Sequence, residues 1–103
     1  MTPETLEALK ASIAKWERNA EIDDLERANL GPSSCPLCVL FYRGDCHGCP
    51  VFNFDIDHHR CGFTPYDAAE SAYSAGHIAG FHLAARAEVA FLKSLLPPEE
   101  QQP

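Results

Sequence analysis

Five cysteines are the residues of this sequence whose types and spacing point most clearly to a specific chemistry. Two residues separate Cys35 from Cys38, two separate Cys46 from Cys49, and Cys61 follows as a single thiol. Two intervening residues allow both thiolates of a pair to face one ion, and four such ligands around Zn(II) form the usual tetrahedral site. The spacing therefore predicts one metal centre, with Zn(II) as the expected ion, held by four of these five cysteines.

The exact ligand set stays open at the level of the sequence. The two spaced pairs form the simplest set, but Cys61 can replace either member of the second pair. His58 and His59 lie just upstream of Cys61, where they are alternative ligands or hydrogen-bond partners of the ligands. His77 and His82 are five residues apart in a predicted helix and do not share a face, so we interpret them as packing or surface residues.

An iron–sulfur cluster is the main alternative to zinc, because such clusters also take four thiolates. The dipeptide Cys49-Pro50 is similar to the end of a ferredoxin motif, although ferredoxins place three cysteines at short regular intervals and this chain has two separated pairs. Thiol–disulfide chemistry is a third reading, less favoured because neither pair opens a helix within a strand–helix–strand unit.

The sequence gives little support to an enzymatic function. It contains no phosphate-binding glycine loop, no Gly-x-Ser-x-Gly turn and no His-Glu-x-x-His helix. A catalytic zinc would need an acid or base nearby, and the candidates are Asp45, Asp55, Asp57 and His59, which are otherwise turn and surface residues. We leave the question open and favour a protein that is not an enzyme.

Composition narrows the class of protein and of partner. Apolar residues make up 46% of the chain and charged residues 22%, which is typical of a folded globular domain. The net charge of −7 disfavours nucleic acid as a partner, since binding to phosphates needs basic side chains. There is no apolar stretch of about 20 residues for a membrane span, and the first ten residues lack the basic start of a signal peptide. We therefore expect a cytoplasmic protein.

Two helices are predicted to hold the cysteines in place. The first covers residues 3–20 or longer, because Thr2-Pro3 is a helix start and apolar residues then recur at intervals of three and four. A second helix is predicted over 65–96, from a similar Thr64-Pro65 start to the Pro97-Pro98 stop. Within it, Gly76 and Gly80 predict close backbone approach by the first helix or the cysteine segment, with a mild kink as the alternative.

The region between the helices, residues 31–63, loses the helical period and becomes rich in Cys, Gly, Pro and aromatic residues. We interpret it as an irregular metal-binding insert in which a short β-hairpin can form across the Arg43-Gly44-Asp45 turn. The predicted fold is therefore mainly α: one domain over residues 1–97, an antiparallel helical hairpin with the cysteine-rich insert between its helices, and a disordered tail over 98–103.

Several blocks of the chain together resemble a group of small cysteine-rich proteins of bacteria and phages. The blocks are residues 12–17, the Cys-Pro-Leu-Cys of 35–38, the Cys-His-Gly-Cys-Pro-Val of 46–51, the Cys-Gly-Phe-Thr-Pro-Tyr of 61–66, and residues 91–97. The resemblance carries no activity with it, but it implies that all five cysteines belong to one motif. The expected function is a small metal-binding protein with a structural zinc, serving as a protein-interaction or adaptor module or associating with itself.

Overall fold

The computed structural model of the protein describes residues 2–30 and 65–100, and the regular elements in these ranges are helical. Helix α1 spans Pro3–Asn19, α2 spans Pro65–Ser74 and α3 spans Ile78–Ser94. Two short 3-10 turns cover Leu25–Arg27 and Pro98–Glu100. The predicted mainly α fold is confirmed for these ranges, whereas the predicted insert over 31–63, with its β-hairpin, lies outside the described residues.

Helix α1 begins and ends as its local sequence dictates. The Thr2 hydroxyl accepts a hydrogen bond from the Thr5 amide at 3.1 Å, which satisfies one of the amides that a helix start leaves without a partner. Pro3 follows at the first helical position, where its missing N–H costs nothing. At the other end the helix stops at Asn19, one residue before the predicted 20, with Ala20 as the C-cap.

The apolar stripe of α1 packs into a core that α2 and α3 complete. Trp16 is its centre, with its ring centroid 6.3 Å from that of Phe81 on α3 and 5.8 Å from that of Tyr66 on α2. We call the buried apolar set the helical core; in the described ranges it comprises Ala8, Leu9, Ile13, Trp16, Ala69, Phe81, Ala84, Ala85 and Leu92.

Two contacts show how α1 and the residues just after it run relative to α3. Glu17 forms an ion pair with Lys93 at 3.8 Å, while Ile22, further along from α1, accepts a hydrogen bond through its carbonyl from the His82 ring, at the other end of α3. The later residue of the first segment thus contacts the earlier residue of α3, so the two segments are antiparallel where they meet.

A second buried stripe on α1 was not predicted. Its five residues recur at intervals of three and four, and each comes one position before a residue of the apolar stripe. The two stripes together therefore bury about half of the helix circumference. Most of its members are polar or charged, yet each is at most 9% exposed: Thr5, Ala8, Ser12, Lys15 and Asn19.

The prediction of one helix over 65–96 is wrong, because the chain turns between α2 and α3. Gly76 adopts a left-handed conformation, with φ of 70°. The Gly76 amide donates to the Tyr73 carbonyl at 3.1 Å and the His77 amide to the Ala72 carbonyl at 2.9 Å, the hydrogen-bond pattern of a Schellman helix end. Glycine is required here by backbone conformation, and neither a close approach of α1 nor a mild kink describes the site.

The prediction of a disordered tail over 98–103 is also wrong for its first three residues. Pro98–Glu100 forms a 3-10 turn, and the Glu100 carboxylate pairs with Lys10 on α1 at 3.1 Å. The prolines stop the helix as expected, but the acidic residues after them return toward α1. Residues 101–103 lie outside the described residues.

Ser12 gives a prediction about stability. Its hydroxyl is buried, the residue being 2% exposed, and Oγ has no hydrogen-bond partner among the residues that the structure describes. Ser12→Ala should raise the free energy of unfolding by about 1 kcal/mol, because it removes a desolvated hydroxyl and adds a better helix former. Urea unfolding followed by circular dichroism measures the change.

The control for this variant is Ser71→Ala, a serine within α2 whose side chain is exposed. That substitution changes helix propensity alone and should add no more than about 0.5 kcal/mol. If Ser12→Ala gains no more than Ser71→Ala, then burial of the Ser12 hydroxyl carries no cost.

Candidate metal centre and its helical frame

All of the predicted metal ligands lie between the two described ranges. The structure therefore describes none of the five cysteines, and none of His58, His59, Asp45, Asp55 and Asp57. Within residues 2–30 and 65–100 there is no group of three or more His, Cys, Asp or Glu side chains arranged to hold a metal. What the structure gives for the candidate centre is the way in which its two flanking segments attach to the helices.

The segment that leads into the cysteines is tied to α1 by Asn19. The Asn19 side-chain amide donates to the Asn29 carbonyl at 3.1 Å, and its oxygen accepts from the Asn29 amide at 3.0 Å. The two bonds satisfy both backbone groups of Asn29 with one buried side chain. Leu30, the next residue, packs against the helical core. The chain is thus fixed up to the last residue before the cysteine-rich segment.

The segment that leads out of the cysteines is fixed at the same core. Pro65 starts α2 immediately, and Tyr66 packs edge-on against the Trp16 ring with an interplanar angle of 80°. An edge-to-face aromatic pair adds about 0.5–1.5 kcal/mol beyond the area that it buries. Asn19 and Trp16 are three residues apart on α1, so one stretch of this helix holds both flanking segments.

Two ionisable side chains are buried among the helices, and their burial was not predicted. Lys15 and Glu88 are each 3% exposed. The Lys15 ammonium lies 5.5 Å from the centre of the Trp16 ring, within the range of a cation–π interaction. A signal for Lys15 was present in the sequence, since it continues the three–four spacing of Thr5, Ala8 and Ser12.

His77 and His82, predicted as packing or surface residues, each have a defined hydrogen bond. His77 precedes the helix, and its Nδ1 accepts from the Gly80 amide at 2.8 Å. His82 is half-buried, and its Nε2 bonds to the Ile22 carbonyl, which fixes the chain just after α1. Neither histidine belongs to a metal-binding group within the described ranges.

A shallow groove of about 300 Å³ lies between α1 and α3 on the surface of the described part. Glu17 lines it from α1, Ala20 and Glu21 line it from the residues just after α1, and Arg86 and Val89 line it from α3. The groove offers two carboxylates, a guanidinium and a small apolar surface.

Asn19 carries a testable prediction because it makes two hydrogen bonds while 1% exposed. Asn19→Ala should lower the free energy of unfolding by about 2–3 kcal/mol, since it removes the partner of both Asn29 backbone groups. Asn29→Ala is the matched control: Asn29 takes part through its backbone, so its truncation should cost less than about 0.5 kcal/mol. Equal effects of the two variants in urea unfolding would contradict the clamp.

No helix in residues 2–30 or 65–100 has the length and apolar character needed to cross a membrane. Comparison of the chain with protein-family models, with curated proteins and with solved structures finds no match.

Proposed function

We propose that this chain is a small cytoplasmic zinc-binding protein in which the ion has a structural role. The observation that carries the proposal is the spacing of the two pairs Cys35/Cys38 and Cys46/Cys49, which is typical of tetrahedral zinc sites. The fifth thiol, Cys61, competes for one position, and the resemblance to small cysteine-rich proteins of bacteria and phages supports its inclusion among the candidates. In this proposal the cysteine-rich insert joins the two arms of a helical hairpin.

The size of the helical core supports a structural role for the ion. Four of the nine buried apolar residues in the described ranges are alanines, which contribute little apolar area each. Small domains with limited cores commonly add a metal or disulfides to reach a stable fold. Metal binding by the cysteines would supply folding free energy directly, because the ligands of a structural site are not preassembled in the unfolded chain.

The fixed flanks of the cysteine-rich segment support the same role. Asn29 and Leu30 are held on one side, and Tyr66 on the other, by residues of α1 and the helical core. Anchored ends shorten the effective loop and lower the entropy cost of bringing ligands together. The same anchors transmit the stabilisation of a bound ion to the helices.

The surface of the helices fits a protein-interaction or adaptor module. In the described ranges two large apolar side chains are exposed, Leu83 at 66% and Tyr73 at 43%. Two glutamates, Glu17 on α1 and Glu21 just after it, line the groove that contains Arg86. Exposed apolar residues next to charged ones suit a protein partner or a second copy of the chain. The net charge of −7 argues against nucleic acid.

The experiment that tests the proposal is elemental analysis of anaerobically purified protein together with its ultraviolet–visible spectrum. We expect one zinc per chain and no visible absorbance. Iron with inorganic sulfide and a broad band near 400 nm, the range of iron–sulfur clusters, would replace the proposal by a redox or sensor protein. Absence of both metals would contradict it and return the cysteines to thiol or disulfide chemistry.

A small metalloenzyme is the other alternative, and Asp57 is the residue that tests it. Asp57 is not among the proposed ligands but lies beside His58, close in sequence to Cys61. Loss of an activity in Asp57→Asn, with metal content unchanged, would favour an open catalytic zinc site with an acid or base beside it.

A further inference from the structure

One residue, His77, both closes α2 and opens α3. Its backbone amide donates to the Ala72 carbonyl at 2.9 Å, and its backbone carbonyl accepts from the Phe81 amide at 3.0 Å. Its side chain caps the new helix, with Nδ1 accepting from the Gly80 amide at 2.8 Å. The corner between the two helices therefore depends on the imidazole in the form that accepts a hydrogen bond.

The residue at position 80 is matched to this cap. A Cβ atom on Gly80 would lie 2.7 Å from His77 Nδ1, closer than non-bonded atoms approach. Glycine costs about 1 kcal/mol of helix propensity relative to alanine. Its presence in the first turn of α3 is explained by the space that the capping ring occupies. Position 80 therefore contributes to the cap together with His77.

We propose that His77 is a pH-sensitive cap that weakens the α2–α3 corner on acidification. A protonated imidazole has donors at both nitrogens and no lone pair with which to accept from Gly80. It would also place a positive charge at the N-terminus of α3, where the helix dipole is unfavourable to cations. The neutral ring is therefore the form that caps α3, and the protonated ring cannot accept the Gly80 hydrogen bond.

The proposed pH response depends on the His77 ring and not on the charged groups near the α2–α3 corner. The titratable residues of α2 that are closest in sequence to His77 are Tyr73 and Glu70, and the segment that contacts α3 through Ile22 carries Asp23 and Asp24. Among the described residues, none of these four makes a hydrogen bond or ion pair with His77. The His77 residue is also exposed.

His82 on the same helix provides an internal contrast. Its partner is the Ile22 carbonyl, which only accepts, so His82 Nε2 donates. Protonation leaves that donor in place. The imidazoles of His77 and His82 should therefore respond differently to the same change of pH.

The test compares thermal unfolding at pH 7.5 and pH 5.5, a range in which imidazoles ordinarily titrate, for the wild type, His77→Asn and His82→Gln. Asparagine caps helices at both pH values. We expect the wild-type Tm to fall on acidification by about 3–8 °C more than the Tm of His77→Asn. His82→Gln should keep a fall at least as large as that of the wild type. Contributions from the other histidines and from any bound metal are common to the three proteins and cancel in the comparison.

A second measurement is the chemical shift of the Gly80 amide in ¹H–¹⁵N spectra across the same pH range. The amide proton should move upfield as the His77 ring protonates, and should stay in place in His77→Asn. Equal falls in Tm for the wild type and His77→Asn, or a Gly80 amide that does not respond to protonation of His77, would overturn the proposal.

Discussion

Phe81→Ala is expected to lower the free energy of unfolding by about 3–5 kcal/mol, because it removes a large aromatic side chain from a closely packed site. Phe81 is fully buried and its ring lies 6.3 Å from that of Trp16, so truncation opens a cavity between α1 and α3. A domain of this size has about 5–15 kcal/mol of total stability. The variant should therefore be close to unfolding at 37 °C, which urea titration followed at 222 nm would measure.

Leu83→Ala is the matched control, two residues along the same helix. Leu83 is 66% exposed, so its truncation should change the free energy of unfolding by less than about 0.5 kcal/mol. The comparison holds helix propensity nearly constant and varies burial. Similar losses for the two variants would mean that α3 does not use the Phe81 face against α1.

The first helix could be predicted from the sequence because its start, its stripe and its end are local signals. Thr2-Pro3 sets the start, and the spacing through Leu9, Ile13 and Trp16 sets the face. The second buried stripe was missed because serine, lysine and asparagine at helical spacing normally face solvent. Their burial is a tertiary property, as for Asn19, whose partner lies ten residues away.

The break between α2 and α3 was missed although the sequence carried a signal for it. In the predicted helix over 65–96, the large apolar residues Tyr73 and Ile78 are five residues apart, an interval that does not keep both on one helix face. Gly76 lies within that interval and was interpreted as a contact glycine, whereas its left-handed φ ends the helix. A propensity scale gives glycine only a modest penalty, so the phase of the pattern was the better guide.

The proposed metal centre rests on the sequence alone, because the five cysteines lie outside the described residues. Cysteine spacing identifies a ligand set without fixing which four thiolates bind, because that choice depends on how the chain folds between Leu30 and Pro65. The described residues contribute the anchors, Asn19 and Trp16, which neither motif nor composition indicated. Through these anchors, removal of the proposed ion is expected to have an effect that can be measured in the helices.

Cys35→Ser is expected to abolish stoichiometric metal binding and to lower the Tm by about 10 °C or more, since it removes one of four thiolates from a site whose binding energy is folding energy. Metal content per chain, measured by elemental analysis, gives the first result. Trp16 is the single tryptophan of the chain and packs against Tyr66, so its fluorescence reports on the point where the cysteine-rich segment rejoins the helices.

Serine substitution of each of the other four cysteines completes the experiment and provides its control. Because a tetrahedral site takes four ligands, one of the five variants should keep its metal and its Tm, and Cys61→Ser or a variant of the second pair is the expected exception. If a variant loses its metal but keeps the melting curve of Trp16 fluorescence, then the metal does not stabilise the helices. Unchanged metal content and unchanged melting in Cys35→Ser would contradict the proposed site.

Asn19 holds the start of the cysteine-rich segment and Tyr66 packs at its end. Loss of the ion should therefore loosen both attachments together, and Trp16 emission and helical signal should then fall in one transition.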